Sequence, residues 1–316
     1  MQNNIKLISG NANIPLAQEI SRILDVPLSD RILTRFSDGE SYARINENMR
    51  GQDVFIIQPT SEPVNENLME LLILMDALKR ASAERITVVL PYYGYSRQDR
   101  KATSREPISA KLVADLITSA GADRVLTVHL HAAQIQGFFD IPLDNLQSLP
   151  LFIDYFKERD LSDYVVVAPD EGSVKLSNEL AKKLHLPLVI VIKQRSYDVD
   201  GHDKIEKCTL LGDIKDKNII IFDDIISTAG TLCNVKEILK NNGAKKICLS
   251  GTHPVFVGSA IERLKDSDIT EVVVSNTIKI PEHKKLEKIK IISIAEILAK
   301  AIKRIHTSES VSSLFI

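Results

Sequence analysis

The chain has 316 residues, enough for two domains with a core each, and 42 acidic against 40 basic side chains leave it near neutral. That balance excludes a polyelectrolyte partner such as nucleic acid, so any affinity for phosphate must be local. Cys208, Cys233 and Cys248 make neither a disulfide framework nor a zinc pattern, residues 1–6 lack signal-peptide architecture, and the longest apolar runs are strand-length, so a soluble cytoplasmic protein without a membrane partner is expected.

Short runs rich in Val, Ile and Leu predict strands at 5–8, 32–36, 54–58, 86–92, 125–131, 164–168, 188–192, 219–222, 247–250, 272–275 and 290–294. Helical periodicity fills 66–80, 107–120, 175–184, 232–241 and 295–305. Apolar strands alternating with amphipathic helices predict an α/β protein whose parallel sheets are covered on both faces. Cohesion is weakest at 144–151, where Gln147, Ser148 and Pro150 interrupt the pattern, and a domain boundary is expected there. The chemically unusual segments fall just after strands, at the carboxyl ends where open α/β sheets bind ligands.

Taken in chain order, the first of these is Phe36-Ser37-Asp38-Gly39-Glu40, a ring able to stack on a base beside two acids able to accept from an amino group. An ordinary polar turn is the plainer account of that segment alone. Residues 92–101 interleave Tyr92, Tyr93 and Tyr95 with Arg97, Gln98, Arg100 and Lys101, which reads as a stacking and anion-binding surface suited to a nucleotide. His129 and His131, two apart on an expected strand, share a side, and with Asp170 after the next strand they suggest a Mg²⁺ site completed by substrate phosphates. Such a histidine pair is more often structural than metal-binding. Lys193-Gln194-Arg195 opens the polar, aperiodic stretch 196–207, which reads as a flap whose cations neutralise charge during transfer, or as a solvated loop.

The most informative segment runs from Ile219 to Thr231. An apolar strand ends in Asp223 and Asp224, then Ser227, Thr228, Ala229, Gly230 and Thr231 lead into a helix. Small residues let backbone N–H groups approach a phosphate, the helix N-terminus adds partial positive charge, and the acids suit sugar hydroxyls or a cation. This segment resembles the phosphoribosyl diphosphate loop of the type I phosphoribosyltransferase fold.

Over essentially its whole length the chain resembles the ribose-phosphate pyrophosphokinases, on residues 36–40, 91–101, 105–111, 134–145 and 223–231 in order. The resemblance implies two doubly wound parallel-sheet domains of the type I phosphoribosyltransferase-like fold. Residues 1–147 would bind ATP, with a tail, 304–316, packing back on them, and residues 148–303 would bind ribose 5-phosphate. It implies transfer of the diphosphoryl group of ATP to the anomeric hydroxyl of ribose 5-phosphate. Phe36, Asp38, Gly39, Glu40, Arg97 and Gln98 would bind ATP, and His131 and Asp170 would hold Mg²⁺. Lys193 and Arg195 would be the flap cations, and Asp223, Asp224 and Ser227 to Thr231 would hold ribose 5-phosphate. Arg50, Arg80, Ser82, Ser310 and Ser312 would form a pocket for phosphate and ADP in a hexamer.

His129, Glu171, Ser173, Gln194, Ser227 and Asn48 depart from the common family pattern, the first two changing charge near the metal and pyrophosphate regions. These departures leave room for a non-catalytic regulatory paralogue, although the residues implied in catalysis are present. A phosphoribosyltransferase that consumes the diphosphate would need only one such domain.

Overall fold

The computed structural model describes residues 5–197 and 203–314, the side chains of 193–197, 203–208 and 231–234 excepted. The chain divides into two compact units, one formed by residues up to Ser148 with Asn276–Lys279 and the segment from Ser293, the other by Leu149–Ser275 and Ile280–Ile292.

In the first unit β1 (Ile5–Ser9) leads to α1 (Ile14–Leu24), whose start is capped by Asn13, with a proline in the first turn where its missing N–H costs nothing. An antiparallel hairpin follows, β2 (Arg31–Arg35) and β3 (Ser41–Ile45). Then come β4 (Asp53–Ile57), α2 (Val64–Arg80), β5 (Arg85–Leu90), α3 (Ser109–Ala120), β6 (Arg124–Val128) and β7 (Leu143–Leu146). The sheet order is β1-β4-β5-β6-β7, all parallel. Side chains alternate between faces, so Val54, Ile56, Val88 and Val125 pack under Leu71, Met75, Val113 and Ile117 of α2 and α3. Leu28 bridges Leu7 on the outer side of β1. The chain therefore winds one way through α1 and the other way through α2 and α3, and the direction changes between β1 and β4.

The second unit begins with α4 (Leu149–Lys157). The Pro150 that looked like an interruption lies in its first turn, where proline is favoured. The unit continues through β8 (Tyr164–Ala168), α5 (Val174–Leu184), β9 (Leu188–Tyr197), β10 (Asp203–Leu211), β11 (Asn218–Ile226), α6 (Gly230–Asn241), β12 (Lys246–Pro254), α7 (Ala260–Lys265), β13 (Ile269–Ser275) and β14 (Ile289–Ile292). The order is β10-β9-β8-β11-β12-β13-β14, parallel except for β9 with β10. One face packs Val166, Ile220 and Phe222 against Phe152, Phe156 and Leu180 of α4 and α5. The other packs Val167, Ile221 and Val272 against Val235, Leu239 and Leu264 of α6 and α7. Winding reverses between β8 and β11.

The last helix, α8 (Ala295–His306), returns to the first unit as a whole and packs on α1. Its end is fastened there: Arg85 Nη2 donates to Ile305 O at 3.0 Å, and His306 Nδ1 lies 2.7 Å from Asp53, which Arg85 also grips in a bidentate fork. Among the described residues no helix is long and apolar enough to cross a membrane.

Candidate functional site

In the second unit β8 pairs with β11 only as far as Ile221 opposite Val167, and β8 ends at Ala168, which pairs with Ile190 of β9. The expected loop from Asp223 is in fact strand, because β11 keeps its pairing with β12 to Ile226 opposite Pro254. Asp223 and Asp224 thus stand on a rigid ladder at the point where the winding reverses, the usual ligand crevice of an open α/β sheet. Burial pushes the Asp223 carboxyl up to about 8, with further contributions from the neighbouring Asp224 and the charge of Asp170. Asp223 Oδ1 accepts from Asp224 N at 2.9 Å, and carboxylates are groups that accept from sugar hydroxyls.

Only Ser227, Thr228 and Ala229 lie between strand and helix. Ala229, the residue before α6, adopts a left-handed conformation (φ 55°) and makes no side-chain cap bond. Gly230 N, the first amide of α6, donates to Thr228 Oγ1 at 3.4 Å, and the helix N-terminus carries partial positive charge. The loop is held from outside: Val257 N donates to Ser227 O at 3.2 Å, and Arg263 Nη1 donates to Thr228 O at 2.9 Å. A Cβ on Gly230 would lie 3.2 Å from Arg263 Nη1 and 3.3 Å from Thr228 Oγ1, so glycine keeps this turn compact. Thr231 lies in the first turn of α6, and its side chain is outside the described residues.

After β8, Asp170 and Ser173 close a reciprocal turn. Ser173 N donates to Asp170 Oδ1 at 3.0 Å, and the Ser173 hydroxyl donates to Asp170 O at 2.8 Å. One carboxylate oxygen is used in holding the loop. The Lys193 and Arg195 side chains lie outside the described residues; their backbone belongs to β9, in register with Cys208 and Ile205 of β10. The expected aperiodic flap is thus largely two paired strands, with 198–202 outside the described residues.

In the first unit Phe36, Asp38, Gly39 and Glu40 form the tip of the β2–β3 hairpin, which stands apart from the parallel sheet. Phe36 N donates to Glu40 O at 2.8 Å, Gly39 takes φ 96°, and Glu40 N donates to Asp38 Oδ1 at 3.1 Å. Phe36 is 54% exposed, its ring edge-on to Tyr42 at 5.5 Å. An exposed aromatic on a fixed turn is a stacking platform.

The segment after β5 corrects the expected tyrosine surface. Tyr92 and Tyr93 are buried, the latter donating to Ala110 O at 2.7 Å and packing on Phe139. Tyr95 alone is partly open, bonded to Asn65, while Arg97 and Gln98 are exposed. Gln98 N donates to Tyr95 O at 2.9 Å and Ser109 bonds its side chain, which fixes the loop onto α3.

His129 and His131 do not share a strand face. β6 ends at Val128, His129 turns left-handed (φ 48°), and its buried ring pairs with Ser148 Oγ at 2.9 Å. His129 is therefore structural, whereas His131 is exposed.

At the other end of the first unit's strands, Gly51 N donates to Ser82 O at 2.9 Å, bringing Arg50 beside the turn that carries Arg80 and Ser82. Arg80 pairs with Asp76 at 2.7 Å on the helix surface. Ser310 and Ser312 bond each other at 3.1 Å, and Arg304, which no sequence signal marked, donates to Ser310 O at 2.9 Å. A cavity of about 730 Å³ in the second unit, lined by Arg159, Lys246, Cys248, Glu271 and Lys288, opens at the amino ends of the strands, away from the loops described above.

Residues 5–121 match the N-terminal domain of ribose phosphate pyrophosphokinase, and residues 194–316 match the phosphoribosyl synthetase-associated domain. The chain is 51% identical over 312 residues to the ribose-phosphate pyrophosphokinase of Bacillus subtilis (strain 168), covering 99% of this chain and 97% of that one. It is 52% identical over 314 residues to that of Caldanaerobacter subterraneus subsp. tengcongensis, covering 99% and 98%. The crystal structure of phosphoribosylpyrophosphate synthetase from Mycobacterium smegmatis matches with a TM-score of 0.91 at 40% identity, over 97% of this chain and all of that one. With both families of domain in place and half the residues shared along its full length, the chain belongs to the ribose-phosphate pyrophosphokinase family.

Proposed function

We propose that this enzyme transfers the diphosphoryl group of ATP to the anomeric hydroxyl of ribose 5-phosphate, giving phosphoribosyl pyrophosphate and AMP for nucleotide biosynthesis. The observation that carries the sugar-phosphate half is the end of β11, where two acids precede a three-residue turn and a helix N-terminus. Asp223 and Asp224 accept from the ribose hydroxyls. The backbone amides and hydroxyls from Ser227 to Thr231 take the 5-phosphate, aided by the helix N-terminus. Phe36 stacks on the adenine, Asp38, Gly39 and Glu40 meet its edge, and Arg97 and Gln98 meet the phosphates.

Asp170, with one carboxylate oxygen not used in its turn, and the exposed imidazole of His131 are donors of a kind Mg²⁺ accepts alongside water and phosphate oxygens. When bound, the ion neutralises the triphosphate and polarises the phosphorus under attack. Lys193 and Arg195 offset the charge that develops on the transferring group. No side chain is covalently modified, so the rate enhancement comes from alignment and charge neutralisation.

Arg50, Arg80, Ser82, Ser310 and Ser312 form the site for phosphate and ADP in a hexameric assembly, and the cytoplasm is the expected compartment. Support comes from the Gly51–Ser82 bond, which gathers the first three, and from the anchored root of the tail that carries the serines.

The test is AMP formation by the purified protein from ATP and ribose 5-phosphate with Mg²⁺, with and without added phosphate. AMP that depends on ribose 5-phosphate supports the reaction, and a phosphate requirement supports the effector site. Folded protein that binds ATP yet makes no AMP under either condition refutes the catalytic reading.

A further inference from the structure

The point in the first unit where winding reverses, between the carboxyl ends of β1 and β4, is occupied by the protein's own side chains. Glu70 of α2, only 5% exposed, accepts from Asn11 N at 2.7 Å, Asn11 Nδ2 at 2.8 Å and Gln58 Nε2 at 2.7 Å. Both amides are then fully used. Gln58 Nε2 also donates to Asn67 O at 3.3 Å, and its Oε1 accepts from Ala12 N at 3.1 Å. Asn11 Nδ2 also donates to Leu33 O at 3.2 Å, and its Oδ1 accepts from Arg31 Nη2 at 3.0 Å. Arg31 completes the set by donating to Ser9 O and, at 3.1 Å, to Gly10 O. A Cβ on Gly10 would come within 2.3 Å of the Gln58 side-chain carbon, so glycine is required there.

Every donor in this cluster points toward Glu70 or toward a carbonyl, and that polarity has one source. A carboxylate only accepts, so it dictates which way the Gln58 and Asn11 amides face. Asn11 then presents its NH₂ to Leu33 O and its oxygen to Arg31, both on β2. The Phe36–Glu40 turn lies immediately beyond β2. We propose that Glu70 and Asn11 are positioning residues for the adenine-binding turn, setting through β2 where Phe36, Asp38 and Glu40 stand. The inference rests on the assignment of that turn to ATP.

Glu70→Gln keeps the shape and breaks the logic. Its new NH₂ faces an existing donor, so either Asn11 flips, losing Leu33 and Arg31, or a donor is left unpaired. The expected result is ATP binding about ten-fold weaker by calorimetry, with the KM for ATP rising alike. kcat stays within about two-fold and the KM for ribose 5-phosphate is unchanged, a split that general destabilisation does not produce. Asn11→Ala, which removes the Leu33 and Arg31 ties together with one donor to Glu70 but keeps the carboxylate, moves the same constants in the same direction and serves if the first variant fails to fold. Phe36→Ala distinguishes the two layers of the argument. If it weakens ATP while folded Glu70→Gln and Asn11→Ala bind normally, the positioning role is overturned. If Phe36→Ala binds ATP normally, the assignment of the turn falls and the positioning role with it.

Discussion

The two units reach the same topological feature and finish it in opposite ways. In the first, Glu70 sits at the crossover with three donors on it, and Gln58, Asn11 and Arg31 use up the surrounding polar groups. In the second, Asp223 stands at the crossover with Asp224 and Asp170 as its electrostatic neighbours, and its carboxyl is raised to about 8. A buried acid surrounded by donors is a structural element. One surrounded by other acids stores an unfavourable interaction that a cation or a set of hydroxyls relieves. One crossover turns a set of the chain's own donors onto a single acid and the other gathers acids, a difference that the fold by itself does not decide.

The largest effect is expected outside both crossovers. Lys193→Ala removes a cation proposed to act only as charge develops, so turnover should fall by about two to four orders of magnitude while ATP affinity changes little. Near-normal turnover in single-turnover assays would remove the flap cation from the mechanism.

At the crossovers themselves the two acids should respond with opposite signs. Asp223→Asn should weaken ribose 5-phosphate roughly 10- to 100-fold, on the scale of one hydrogen bond to a charged group, and should raise the stability of the ligand-free, Mg²⁺-free protein by ~1–3 kcal/mol. A carboxyl raised in the fold is more protonated there than in the unfolded chain. Stability is therefore lost as pH rises from about 4 toward about 8, and the variant should lack that slope in EDTA. Glu70→Gln should instead lower stability by ~1–3 kcal/mol, since it leaves a buried donor facing a donor. Calorimetric melting of both variants side by side measures the contrast. The same sign for both would mean that the two crossovers are not finished differently after all.

Much of this was readable from the chain because apolar runs report burial. Residues 164–168 were bounded correctly, and the helix expected at 66–80 begins only two residues earlier. What escaped was polar structure. Ser41–Ile45, Leu143–Leu146 and Asp203–Leu211 carry too few apolar residues to announce themselves as strands. β11 runs past its apolar stretch because its partner β12 continues, which is a tertiary cause. Tyr92 and Tyr93 looked like a ligand surface because an aromatic run does not say which rings the next helix covers. His129 and His131 were put on one face by a two-residue period that a left-handed turn cancels. The Glu70 cluster draws on residues up to 59 positions apart, and no local spacing encodes it.

The smallest expected effect tests whether the open crossover is held ready by its surroundings. Arg263 stands on α7 and donates to Thr228 O, the middle carbonyl of the turn that precedes α6. It lies on the far side of that turn from Asp223 in the chain and has no part in the acid cluster. Arg263→Ala should leave the Asp223 carboxyl and the strand ladder as they are while loosening a turn whose Ala229 is already in a left-handed conformation. The ribose 5-phosphate KM should rise about three- to ten-fold, the scale of one hydrogen bond, with ATP affinity and kcat nearly unchanged. An unchanged KM would mean that the β11 ladder and the start of α6 are enough to shape the phosphate site. A fall in kcat without a change in KM would instead place Arg263 in the transfer step rather than behind the loop.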